Sequence, residues 1–243
     1  MKSPNLYFKK HNTMNTNFYY DNTKFLVAVD CIIFGFKNNE LDILLTRRPV
    51  EPMKNEWSLM GGFMDENENL DEADTKVLYR YTQQSGIYME QIKAYGKIDR
   101  DAGGRVVSVA YYALVRLEDF DTSLAKTFDA KWVNINNLPD LVFDHNQMVE
   151  DGLKLLRYKV SMEPIIFNFF GDKFTLPALQ NLYEAIFQKE MDKRNFRRKL
   201  ISMDILNKYD EKDKTSSKRG AHFYSFDFEK YKQFLDKGLI YSL

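Results

Sequence analysis

Residues 57–83 read WSLMGGFMDENENLDEADTKVLYRYTQ, and the whole architecture follows from how this stretch is divided. Its first part is loop-like. From Arg47 to Phe63 the chain carries Pro49, Pro52 and the pair Gly61-Gly62, residues that interrupt regular structure. Its second part predicts a helix, because Leu70, Ala73, Val77, Leu78 and Tyr81 recur at spacings that line one helical face. Glu66, Glu68, Asp71 and Glu72 cluster near the start of that helix, where its dipole favours acids. Upstream, Phe25–Phe36 (FLVAVDCIIFGF) is nearly all apolar and β-rich, the pattern of a strand buried on both faces. A turn at Lys37–Glu40 leads to a second strand, Leu41–Thr46. Downstream, Val106–Val115 and Ala130–Ile135 read as strands, and His145–Tyr158 as an amphipathic helix through Met148, Val149, Leu153 and Leu156. Interleaved strands and helices predict a compact α/β (α+β) domain over residues 22–160, preceded by a polar arm at 1–21.

The bulk composition limits the classes available. The 243 residues are 44% hydrophobic, enough for real cores in one large or two ordinary domains. Lys+Arg and Asp+Glu are both 35, so only the distribution of charge can point to a nucleic-acid partner. The single cysteine, Cys31, excludes an intrachain disulfide and reads as a buried structural thiol in a cytoplasmic protein. No segment approaches the ~18 apolar residues of a transmembrane helix, so no membrane partner is expected.

Beyond residue 160 the pattern changes. Thr175–Phe187 predicts a helix capped by Thr175, and Asp192 can cap the next one, with Phe196, Leu200, Ile201 and Ile205 as its inner face. A polar segment, Tyr209–Gly220, is followed by a strand at Phe223–Phe226 and a small helix at Phe228–Leu235. Helix, turn, helix, loop and strand predict a winged helix-turn-helix over 161–243, with Asp210–Gly220 as the wing. DKRNFRRKL, residues 192–200, puts Lys193, Arg194, Arg197, Arg198 and Lys199 within seven positions. Arg194, Arg197 and Arg198 share one helical face, while Phe196 and Leu200 share another. One face can anchor and the other can meet phosphates or base edges. Asn195, Lys218 and Arg219 complete the candidate DNA contacts, and the expected partner is a double-stranded operator.

The Gly61–Gln83 stretch resembles the Nudix box: Gly, five residues, Glu, seven residues, Arg-Glu, an apolar residue, one residue, Glu-Glu, one residue, Gly. Gly62 and Glu68 fit the first spacing, and Trp57–Phe63, Asp99–Asp101, Gly104-Arg105 and the Val106–Val115 strand also look like that family. The departures are chemical. Read without a gap, Lys76 and Val77 stand at the Arg-Glu pair, Arg80 and Tyr81 at the Glu-Glu pair, and Gln83 at the closing Gly. A shifted reading puts Gly86 at the closing Gly, with Gln83 and Gln84 at the two Glu positions. Either way the hard oxygen ligands that Mg²⁺ requires are lost. No metal, cofactor or catalytic residue is therefore expected, and the domain reads as a sensor. Its candidate ligand contacts are Arg47, Arg48, Trp57, Gly62, Phe63, Asp99, Arg100 and Tyr111. For Trp57 a core role is equally open, and Asp99 and Arg100 can instead pair with each other. Tyr112 offers a further stacking surface, and His145 reads as a helix start.

A Nudix-like domain before a winged helix resembles the Nudix-related transcriptional regulators, and most closely the AraR-type arabinose regulators of Bacteroides-like bacteria. That resemblance implies a homodimeric repressor of sugar-utilisation genes, released by L-arabinose or a related sugar. The alternatives are an ADP-ribose-responsive regulator of NAD metabolism, and a Nudix pyrophosphohydrolase acting on ADP-ribose or nucleotide sugars.

Overall fold

A computed structural model describes residues 21–83, 87–119, 128–215 and 219–243. The expected buried strand is β1, Leu26–Lys37, and it is the spine of the first domain. β1 pairs in parallel with β6 (Val106–Arg116), and antiparallel with β2 (Glu40–Arg47) and β4 (Met60–Phe63). β3 (Trp57–Ser58) and β7 (Ala130–Asn134) extend the sheet beside β2, and β5 (Glu90–Tyr95) pairs with β6.

Apart from Asp30 and the terminal Lys37, β1 is apolar because helices cover both faces of the sheet. Val29, Cys31 and Ile33 point to one side and pack with Ala73, Val77 and Leu78 of α1 (Leu70–Thr82). Ile32 and Phe34 point to the other and pack with Met148, Val149 and Leu156 of α2 (His145–Met162). Helix α1 starts where expected: Glu72 accepts the Asn69 backbone N–H at 2.7 Å, an orphan donor of the first turn. It ends at Gln83, whose φ of 54° is left-handed. Glycine adopts that conformation at least cost, and Gln83 stands at the closing Gly of the ungapped register. Gly86, on which the shifted register depends, lies outside the described residues. Two short strands, β3 and β4, fall within the stretch that reads as loop.

The second unit has the elements of a winged helix. Its first helical turn, Pro164–Phe170, is 3₁₀. There follow β8 (Phe174–Thr175), α3 (Leu176–Phe187), α4 (Lys193–Ser202), the hairpin of β9 (Leu206–Asp213) and β10 (Ala221–Phe226), and α5 (Phe228–Asp236). Both expected caps form: Thr175 Oγ1 accepts from Ala178 N, and Asp192 Oδ1 from Asn195 N. Two readings are corrected here. Helix α4 stops at Ser202, so Ile205 belongs to the turn before β9. Ile201 is 44% exposed because it follows Arg197 and Arg198 around the helix, on the cationic face rather than that of Phe196 and Leu200. The polar run Tyr209–Asp213 is strand, so the first part of the expected wing belongs to β9 of the hairpin.

The two units share one core. Phe167, Leu179, Tyr183 and Tyr241 join the cluster that contains Ile32, Phe34 and Met148. Tyr183 Oη donates to the Val160 carbonyl of α2 at 2.7 Å, and Arg157 Nε donates to the Ile186 carbonyl of α3 at 2.8 Å. Among the described residues no helix is long and apolar enough to cross a membrane.

Candidate functional site

A cavity of about 250 Å³ opens at one end of the sheet between β1, β4, the end of α1 and the start of α2. Arg48, Arg80, Arg100, Gly62, Phe63 and Phe143 line it, with Asp30 and His145. Arg48 and Arg80 make one side of it suited to an anionic group, while the charge of Arg100 is matched by Asp144. Arg48 is held by a hydrogen bond from Nε to the Pro52 carbonyl and lies 4.9 Å over the Phe143 ring. Arg100 is buried and forms a two-pronged pair with Asp144, Nε to Oδ2 at 3.1 Å and Nη2 to Oδ1 at 2.7 Å. It therefore does not pair with Asp99, which is exposed. Burial lowers the pKa of His145 below the ordinary histidine range, leaving it neutral at neutral pH. Its Nδ1 accepts the Leu59 N–H at 3.2 Å, so the ring proton sits on Nε2.

Of the eight residues read as ligand contacts, Arg48, Gly62, Phe63 and Arg100 line this cavity and the other four do not. Arg47 lies 3.9 Å over the Trp57 ring and donates to the Asn55 carbonyl, so these two side chains occupy each other. Tyr111 is 3% exposed, packed against α1 with Cys31, and burial pushes its phenol up to about 12. Tyr112 is buried under α2. Both tyrosines lie in the middle of β6 with a helix on either side, which is why neither offers a stacking surface. Sequence reasoning missed Asp30 as a pocket residue and read His145 only as a helix start. The signal for Asp30 was one carboxylate inside an otherwise apolar strand.

Beside the cavity, α1 presents what stands at the Nudix metal positions. Lys76 Nζ lies 2.6 Å from Asp65 Oδ2 and 3.0 Å from Glu68 Oε2. The one box carboxylate retained, Glu68, is thus neutralised by a lysine of the same box. Val77 is buried, Arg80 puts a cation on the groove, and Tyr81 packs edge-on against Phe128 at 4.9 Å. No group of three or more metal-ligating side chains occurs among the described residues. This donor set does not fit a divalent metal: a fixed ammonium and a guanidinium stand where the ion's charge would be.

The other candidate surface is α4. Lys193, Arg194, Asn195, Arg197, Arg198 and Lys199 are all exposed, while Phe196 and Leu200 are buried beneath them. The Phe196 ring meets Tyr183 edge-on at 5.5 Å, which seats the helix on α3. Asn195 Oδ1 accepts from Arg198 Nη2 at 2.6 Å, so these two side chains are held together on the exposed face of the helix. Arg219 is exposed near the wing tip, and Lys218 lies outside the described residues. His222 Nδ1 is engaged by the Tyr209 carbonyl across the hairpin.

A Nudix-like domain without its metal ligands, carrying a winged helix with an exposed cationic helix, defines a DNA-binding transcriptional regulator. Residues 166–226 match the NrtR DNA-binding winged helix domain. The chain is 31% identical over 210 residues to the ADPR responsive transcriptional repressor of Acinetobacter baylyi, covering 85% of this chain and 84% of that one. It superposes on the crystal structure of Shewanella oneidensis NrtR complexed with a 27mer DNA with a TM-score of 0.74 at 29% identity, over 85% of this chain and 95% of that one. The chain is also 33% identical over 131 residues to the ADP-ribose pyrophosphatase of Methanocaldococcus jannaschii, 53% of this chain and 73% of the relative. The chain belongs to the NrtR family of transcriptional regulators. The likeness to the AraR-type arabinose regulators is not supported by these relatives, whose names carry ADP-ribose and not arabinose.

Proposed function

We propose that this protein is a transcriptional repressor whose DNA binding is released by ADP-ribose, bound but not hydrolysed in the Nudix-like cavity. The observation that carries this reading is the combination of an arginine-lined cavity with a box helix whose metal positions hold Lys76, Val77, Arg80 and Tyr81. Arginine recognises a diphosphate without a metal, through charge and paired N–H donors. The names of the relatives support ADP-ribose, and replace L-arabinose as the effector. Two copies of the chain, each placing α4 in a major groove, would read an inverted repeat with half-sites one or two helical turns apart. Lys193–Lys199 supplies the groove contacts and Arg219 a wing contact. Effector binding favours an arrangement of the two units that no longer fits that spacing, which requires unequal affinity for the two states.

The pyrophosphohydrolase reading competes for the same pocket, since one relative is an ADP-ribose pyrophosphatase. One experiment separates the two. In calorimetry with EDTA present, ADP-ribose gives saturable heat and L-arabinose gives none. With Mg²⁺ or Mn²⁺ added, ADP-ribose is recovered intact after prolonged incubation. Turnover to AMP that disappears in Glu68→Gln would establish the enzyme reading instead, and heat with arabinose alone would remove ADP-ribose as the effector.

A further inference from the structure

Asp30 is a carboxylate in the middle of a strand whose neighbours are Val29, Cys31 and Ile32, and it is 7% exposed at the floor of the cavity. Burying a charge costs several kcal/mol unless it is well partnered, so its surroundings need an explanation. Ser108 Oγ donates to Oδ2 at 2.5 Å. The Arg100 guanidinium stands 3.8 Å from Oδ2, with its hydrogen-bonding fork given to Asp144. On the other side, His145 Nε2 lies 3.7 Å from Asp30 Oδ1, too far for a direct hydrogen bond. Because Nδ1 is occupied by the Leu59 N–H, Nε2 carries the proton. The floor thus presents one N–H donor and one carboxylate acceptor side by side, without joining them.

The space around Asp30 is kept by a second feature. Gly61 lies opposite Asp30 in the β1–β4 register, and a Cβ at Gly61 would collide with Asp30 Oδ1. Glycine there leaves the carboxylate open to the cavity.

We infer that Asp30 and His145 form a subsite for neighbouring hydroxyl groups, and that the terminal ribose of ADP-ribose occupies it. This rests on ADP-ribose being the effector. A hydroxyl both donates and accepts, so one ribose hydroxyl can give its proton to Asp30 Oδ1 while the next accepts from His145 Nε2. A phosphate, with acceptors only, is repelled by Asp30 and attracted to the more exposed Arg48 and Arg80 of the same cavity. The pocket therefore selects the ligand by its sugar end.

The test is calorimetry on the full chain with ADP-ribose and with ADP, which keeps the adenosine and both phosphates, carries one more negative charge and lacks the terminal ribose. Wild-type protein binds ADP-ribose at least tenfold more tightly than ADP, the loss expected for hydrogen bonds to a charged group. Asp30→Asn and His145→Asn each weaken ADP-ribose about tenfold and leave ADP unchanged. The second variant keeps an acceptor for the Leu59 N–H and removes the Nε2 donor together with the ring edge that meets Phe143. Equal affinity of the wild type for the two ligands overturns the subsite, even where a variant fails to fold. So does a variant that weakens both ligands alike, since that is what a purely structural role would do. If wild type binds neither ligand, the ADP-ribose reading itself fails, and the subsite with it.

Discussion

Replacing Arg194 and Arg197 together with alanine lowers affinity for the operator duplex by about a hundredfold at physiological salt. Both side chains are exposed on α4, on the face away from Phe196 and Leu200. A bidentate base contact contributes ~1–3 kcal/mol, and two such losses together give this size of effect. Where a lost contact was to phosphate, the slope of log affinity against log salt falls by about one for each arginine. Titrating cognate and scrambled duplexes across a salt series separates the roles: a base contact changes their ratio, and a phosphate contact changes both equally. The melting temperature stays at the wild-type value, because neither side chain is packed. Wild-type affinity in the double variant would reduce α4 to a solvated surface.

The second large effect is on stability. Tyr183→Ala costs about 3–5 kcal/mol, the range for losing a buried aromatic ring. Tyr183 is fully buried, its ring parallel to Phe187 at 6.3 Å and edge-on to Phe196 at 5.5 Å. Its single hydroxyl proton goes to the Val160 carbonyl at the end of α2. The Tyr241 hydroxyl, 2.8 Å away, must then donate to Tyr183. Burial raises the pKa of both phenols above the tyrosine range, so the chain stays protonated at any working pH. The loss is a large share of the ~5–15 kcal/mol that separates folded from unfolded states, and thermal or urea unfolding measures it. Tyr183→Phe keeps the rings and removes the hydroxyl, leaving the Val160 carbonyl unpaired and costing ~1–3 kcal/mol. A neutral result for both variants would mean that the two units do not depend on this junction.

The legible parts of the sequence were those governed by local rules. β1 and α1 announced themselves by burial pattern and spacing, and the caps at Thr175 and Asp192 by residue type. β9 was not legible, because a two-stranded hairpin exposed to solvent has no buried face to impose alternation on YDEKD. Ile201 misled for the opposite reason: an apolar residue next to a core position reads as core until the helical phase is fixed by Phe196 and Leu200. The pocket was legible in part. Arg48 and Arg100 stand near the box in the sequence pattern, but the partners that define them do not. Asp144 is 44 residues from Arg100, and Asp30 and His145 come from opposite ends of the domain. Only the folded sheet brings them to one floor. Tyr111 lies outside the cavity lining, because aromatic character says nothing about which strands a helix covers.

Full-length protein binding to the upstream region of its own operon, followed by fluorescence anisotropy in EDTA with and without ADP-ribose, tests the central claim most directly. Coupling between two sites is a ratio of affinities, so the measurement reads it without assuming a mechanism. Saturating ADP-ribose should weaken DNA binding at least tenfold, with L-arabinose at the same concentration having no effect. DNA affinity that is identical with and without saturating ADP-ribose would contradict the account.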